Sequence, residues 1–374
     1  MPSQFLDLTK LRTFPLAERK SLLRLEEVLL SPAASPPPCP EELRSTICCC
    51  AADLLRAKKA GSAAILLYGA HLVRNGAGAI VREMVNRGLI THLATNGAGA
   101  IHDWEFSHRQ QSTEPVAENV AQGRFGTWDE TGRFLHLALL AGSLREEGFG
   151  KALGRFVEED GTQLPEASRL EELIRQFPSH PLTAARADFL AILQQFPMPP
   201  GWLSVPHPGK QSSLLAGAFC RQIPVTIHPG IGYDIIACHP MFHGAVIGRA
   251  AALDFRLFAG SANQLEGGVV ISIGSAIMAP QVFEKSLSCV NNLRLQEGRP
   301  PLSNFSIYVV DLQEGGDWDW RKSEPPRENP AYYLRFMKSF SRMGGELHYL
   351  QCDNRVFIHN LFHDLENLGQ PSLP

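Results

Sequence analysis

The sequence predicts an α/β fold, a doubly wound and mostly parallel sheet with helices on both faces, and three observations carry that expectation. Short, continuously apolar runs recur along the chain: ILLYG, ITHLATN, IPVTIH, GGVVISIGS, NFSIYVVDL and ELHYLQCD. Such runs suit strands buried on both faces, as parallel strands are. Helically spaced apolar residues fill the stretches between them, and glycines follow the runs, which is the alternation that βαβ units leave in a sequence. With 44% apolar and 20% charged residues among 374, the chain can bury a large core.

The elements read in order as follows. LAERKSLLRLEEVLL has the spacing of an amphipathic helix, and SPAASPPPCP at 31–40 ends it, because proline lacks the amide hydrogen and fixes an extended backbone. Residues 1–40 therefore read as an N-terminal helical arm and Pro-rich linker, and 41–374 as a single domain. An isolated amphipathic helix leaves an apolar stripe uncovered, so the arm is expected to cross to another subunit. Helical spacing runs from Glu41 to Lys59, ILLYG is a strand ending at Gly69, and AGAIVREMVNRGL is an amphipathic helix. ITHLATN is a second strand, and GAGAIHDWEF reads as a glycine-rich turn leading toward a helix. From Glu118 to Gln194 the chain is helix-rich, with the charged loop VEEDGTQLPE inside it, and reads as an insertion. AGAFCRQ is a helix before IPVTIH, and PAYYLRFMKSFSRMGG is helical between the last two strands.

Composition excludes several classes. A net charge of −3 gives no basic field for nucleic acid. No run approaches the roughly eighteen apolar residues of a membrane span, and the start lacks a secretory leader pattern, so a cytoplasmic location without membrane partners is expected. The eight cysteines show no CxxC spacing and read as free thiols. Cys48, Cys49 and Cys50 lie in an apolar helical pattern and read as core, with no metal site expected.

In an open parallel sheet, ligands bind beyond the carboxyl ends of the strands. The candidate lips are Gly69–Gly78, Thr95–Asp103, His228–Asp234, Gly274–Ser275, Asp311–Asp319 and Cys352–Asn354. TNGAGA falls short of the six-residue dinucleotide fingerprint. Two further readings compete: His228, Asp234, His239 and His243 as ligands of a metal-dependent hydrolase, and a nucleotide-binding protein without turnover.

The block LLYGAHLVRNGAGAIVREMVNRGLITHLATNGAGAIHDWE resembles the first nucleotide-binding block of the deoxyhypusine synthase family, and IPVTIHPGIGYDII, EGGVVISIGSAIM and HYLQCDNRVF resemble later blocks in the same order. The resemblance runs from about Gly61 to Phe357. It implies a Rossmann-like sheet, an NAD cofactor, a homotetramer, and NAD-dependent oxidation of a polyamine or related amine, with aminoalkyl transfer through a lysine imine to a protein lysine or a small acceptor. It assigns the imine to Lys338, eight residues after Pro330, with Phe336 as an aromatic wall; a desolvated lysine loses its proton more readily and becomes a nucleophile. NAD is implied at Asn96, Gly97, Gly99, Asp103, Asp311 and Asp353, and the amine at Asp234, Asp317, Asp319 and Trp318. His102, without a family counterpart, is a candidate acid/base. The sequence departs from the family where ISIGSAIM replaces a histidine-bearing stretch and where Ala331, Tyr332 and Tyr333 replace an acidic residue, which removes two polyamine anchors.

Overall fold

The computed structural model describes residues 5–369, and its centre is one six-stranded parallel sheet. The strands are β1 (Ala64–Tyr68), β2 (His92–Asn96), β3 (Val225–His228), β4 (Gly268–Ile273), β5 (Phe305–Asp311) and β6 (Glu346–Gln351). They lie in the order 3-2-1-4-5-6, each neighbouring pair parallel. This is the doubly wound, Rossmann-like order, in which the direction of winding reverses between β1 and β4.

Alternation along the strands divides the core between two faces. Leu66 and Tyr68 of β1 join one apolar cluster, with Leu54 of α1 (Glu41–Ala60), Met84 of α3 (Gly78–Asn86) and Trp104 of α4 (Gly97–Arg109). Between α1 and α3, the one-and-a-half-turn helix α2 (Ala70–Arg74) follows β1 directly. Ile65 and Leu67 point the other way, toward Phe258 of α7 (Gly244–Ala262), Phe283 of α8 (Met278–Gln296) and Phe340 of α9 (Arg335–Ser341). Every residue of β1 and β4 is buried, which explains their unbroken apolar runs. In the helix-rich stretch, α5 (Asp129–Ser143) and α6 (Phe149–Glu158) give Leu139 and Phe149 to the first cluster. VEEDGTQLPE, expected as a loop, contains a strand, Gly161–Leu164, paired antiparallel with Gly201–Ser204.

Two other local expectations are corrected. The arm is mostly not helical. A two-residue strand, Leu23–Arg24, pairs with Gln111–Ser112, and only Leu25–Val28 is α-helical. Leu16 and Leu25 are buried against the chain's own core, so tertiary contacts override the helical spacing. The glycine-rich stretch after β2 is not a turn before a helix but the first turn of α4, capped by Asn96 Oδ1, which accepts from the Gly99 amide at 2.9 Å.

Of the three adjacent cysteines only Cys50 is buried, while Cys48 and Cys49 face outward; all eight cysteines are free. Among the described residues no helix is long and apolar enough to cross a membrane.

Candidate functional site

The crevice at the reversal point is built from bare backbone. Gly69, one residue past β1, donates its amide to Ile273 O of β4 at 3.0 Å. A Cβ at Gly69 would come within 3.0 Å of the Gly274 carbonyl carbon, and nearer still to its oxygen, so only glycine lets the two loops close together. Gly274 itself has φ +56°, and Ser275 Oγ then accepts from the Ala279 amide in the first turn of α8. The loops beyond the strand ends expose Ile231 and Tyr233 after β3, Ile277 after β4 and Leu312 after β5, an apolar rim in contact with solvent.

Beside this crevice lies a cavity of about 230 Å³ between α4, the arm, the segment after Ser112 and the loop after β3. Helix α4 turns Ala98, Ile101, His102 and Glu105 toward it, positions i, i+3, i+4 and i+7 of one helical face. The arm contributes Arg19, whose guanidinium grips both Glu105 oxygens at 2.5 and 2.9 Å. Burial pushes the Glu105 carboxyl up, and the charge and hydrogen bonds of Arg19, aided by Ser112, more than reverse the effect and hold it below the usual range.

The same network fixes the state of His102. Burial pushes its pKa down to about 4, so the ring is neutral at pH 7. Ser112 gives its one hydroxyl proton to Glu105 at 2.5 Å, and its oxygen therefore accepts from His102 Nδ1–H at 2.6 Å. His102 Nε2 is left unprotonated, an acceptor or base on a residue that lines the cavity.

On the opposite wall, Asp234 is 6% exposed, and its Oδ2 accepts from the Gly230 amide at 2.7 Å. Burial pushes its pKa up to about 6. Its carboxylate rests over the first turn of α4: a Cβ at Gly97 would stand 2.6 Å from Asp234 Oδ1. Arg74, at the end of α2, lines the cavity with Nε buried and without a hydrogen-bond or ion-pair partner among the described residues. Thr113 Oγ1 is likewise buried and unpartnered, on a backbone at φ +68°.

Of the residues singled out in the sequence, the structure brings His102 and Asp234 to this cavity, with Gly97 against Asp234. Asn96 and Gly99 form the cap of α4. The Asp103 carboxylate turns to the other side of α4, accepting from Ser213 Oγ and from the Leu214 amide at 2.7 Å, where it caps the helix Leu214–Cys220. Asp353 accepts from the Arg355 amide and pairs with its guanidinium, and Asp311 accepts from the Gln313 amide. In the loop after β5, Asp319 pairs with Arg321, and Trp318 Nε1 donates to Ser323 O; the Asp317 carbonyl accepts from Asn329 Nδ2. Phe336 is buried in the second core cluster, and Lys338 Nζ sits 3.5 Å from the centre of the Tyr332 ring. Neither lines the cavity that holds His102. Arg19, Arg74, Glu105, Ser112 and Thr113 carried no motif; Arg19 and Glu105 are 86 positions apart.

The histidine loop does not converge. Among the described residues no three His, Cys, Asp or Glu side chains form a group that could hold a metal ion. His228 meets Thr226 Oγ1 at 3.0 Å, His239 meets Asp129 at 3.4 Å and His243 lies 3.7 Å from Asp188, so the reading as a metal-dependent hydrolase is corrected.

Fold and site together define a doubly wound parallel-sheet protein with a crevice at its reversal point and, beside it, a cavity lined by both charged and apolar side chains. No family model and no curated protein matches the chain. Among solved structures, it is similar to AgrE without ligand (TM-score 0.44, 13% identity, 88% of this chain and 34% of that one) and to AgrE in ternary complex with ornithine and NAD+ (0.43, 13%, 88% and 34%). It is also similar to a conserved LOR/SDH protein from Methanococcus maripaludis S2 (0.43, 14%, 96% and 77%). The chain thus spans about a third of the length of AgrE. The expected NAD-dependent aminoalkyl transfer is corrected: Lys338, which would carry the imine, is held over Tyr332 and does not line the cavity of His102.

Proposed function

We propose that the chain is a dinucleotide-dependent enzyme that binds NAD across the carboxyl ends of β1 and β4 and carries out its chemistry against the neighbouring cavity. One observation carries the reading: the winding reverses between β1 and β4, and there Gly69 and Gly274 leave only backbone at the lips. In doubly wound sheets the crevice at that point is where dinucleotides lie, because loop amides and helix N-termini offer partial positive charge to phosphate. The residues fit the group in this respect and depart from the usual pattern in another. The six-residue glycine fingerprint is absent, and Asn96, at the end of β2, spends its side chain on capping α4. Bound NAD would supply a hydride acceptor. The chain's own part is to hold it by backbone and to present the Nε2 lone pair of His102 as an acceptor or base beside it.

Calorimetric titration of NAD+ and of ADP-ribose tests this. Ala70, partly exposed at the start of α2, is the position for a blocking charge. Both ligands should bind the native protein, and Ala70→Glu should weaken both at least tenfold, about 1.4 kcal/mol. Absence of binding to the native protein, or equal affinity in the variant, would overturn the reading.

A further inference from the structure

We infer that the cavity beside the crevice is a binding site for a small dibasic α-amino acid, its carboxylate held by Arg74 and its ammonium groups by Asp234 and Glu114. Five arginine and carboxylate side chains line the cavity: Arg19, Arg74, Glu105, Glu114 and Asp234. Arg19 and Glu105 cancel in a two-pronged pair. The other three have no partner of opposite charge among the described residues. Asp234 accepts from a backbone amide, and Glu114 accepts from Asn119 Nδ2 at 2.5 Å and Trp128 Nε1 at 2.8 Å, all neutral donors. The cavity therefore presents one uncompensated cation and two uncompensated anions, and the complementary ligand carries one negative and two positive charges.

Leaving such groups unpaired away from water is costly, and a fold keeps them where a ligand completes them. Arg74 Nε is buried and empty-handed, and a guanidinium is the side chain best shaped to grip a carboxylate. Thr113 is the independent second sign. A threonine at φ +68° is strained, its buried hydroxyl has no partner, and it lines the same cavity. Strain of this kind is retained at ligand sites.

Size and lining agree. About 230 Å³ is roughly the room of eight liquid-water molecules at about 30 Å³ each, which admits a molecule of amino-acid size and is too little to enclose a whole dinucleotide. Ile101, Val116 and Phe125 supply apolar wall for a methylene chain, and His102 Nε2 is an acceptor for an N–H of the ligand. The inference goes beyond the dinucleotide reading and does not need it.

The test is thermal-shift and calorimetric titration with the common L-amino acids, run both without and with NAD+, so that failure of the crevice and failure of the cavity register separately. L-lysine or L-arginine should give the largest shift. Analogues of L-lysine lacking one charged group should bind at least tenfold more weakly: cadaverine without the carboxylate, 6-aminohexanoate without the α-ammonium, L-norleucine without the side-chain ammonium. Arg74→Met should melt no lower than the native protein when ligand-free, since the half-buried guanidinium has no hydrogen bond or ion pair among the described residues to lose, and should bind L-lysine no better than cadaverine. Asp234→Asn should lose the preference over the analogues missing an ammonium. The inference is overturned if no amino acid binds with or without NAD+, if the truncated analogues bind as well as L-lysine, or if Arg74→Met keeps the preference for a carboxylate.

Discussion

Replacing Arg19 by methionine tests how the N-terminal arm is fastened to the wall of the cavity. The two partners are almost entirely shut off from water, with 2% of the Arg19 side chain and 1% of the Glu105 side chain exposed. Methionine keeps the apolar stem and removes both hydrogen bonds, leaving Glu105 with Ser112 and Thr131 as donors. Breaking one half of a buried ion pair costs about 3–5 kcal/mol, and the surviving donors argue for the lower end. With an unfolding entropy of roughly 2.1 cal/mol/K per residue, a chain of this length loses about 4 °C of Tm for about 3 kcal/mol. Calorimetric melting is the assay. The double variant Arg19→Met/Glu105→Leu should recover most of the loss, because the carboxylate is no longer stranded. The reasoning is refuted if the single variant melts within a degree of the native protein, or if the double variant is the less stable of the two.

Two further outcomes follow from the structure. Burial lowers His92 to about 3 and His102, His136, His207 and His228 to about 4, so these rings stay neutral in the fold and take up protons first when unfolded. Their contribution is present above pH 6.5 and is lost as pH falls toward 4. Burial raises Asp103 and Asp234 to about 6 and Asp254 to about 7, which works the other way by favouring the fold as they protonate. Between pH 7 and 5 the five histidines remove roughly 9 kcal/mol and the three carboxyls return roughly 5, so the urea midpoint should fall, and an unchanged or higher midpoint at pH 5 would contradict the burial of these rings. Asp103→Ala should cost about 1–3 kcal/mol by stranding Ser213 and the Leu214 amide while leaving NAD affinity unchanged, and a matched loss of affinity would move Asp103 to the cofactor.

The strands were legible in the sequence because burial on both faces writes an unbroken apolar run, as in Ala64–Tyr68 and Gly268–Ile273. The order of those strands, which locates the crevice, is set by long-range packing and leaves no local pattern. Glycines misled at α4. Gly97 makes room for the Asp234 carboxylate, which is tertiary crowding, while a Cβ at Gly99 would lie 3.2 Å from Thr95 Cβ, which is local crowding where β2 passes into α4, and neither glycine makes a turn. The arm misled for a similar reason, since Leu16, Arg19 and Leu25 are paid for by partners far along the chain. His102 and Asp234 could be found because they sit on loops and helix starts after strands. Arg74 could not, because in sequence it is one more basic residue at the end of a helix, where the helix dipole favours a cation anyway.

The central claim is that a dinucleotide lies over the reversal point, and a crystal structure of the protein grown with NAD+ addresses it most directly. The account expects the pyrophosphate against the backbone of Gly69–Ala70 and Gly274–Ser275, with one ribose reaching toward the first turn of α4. Ordered NAD+ elsewhere on the protein, with the lips of β1 and β4 empty, would contradict it.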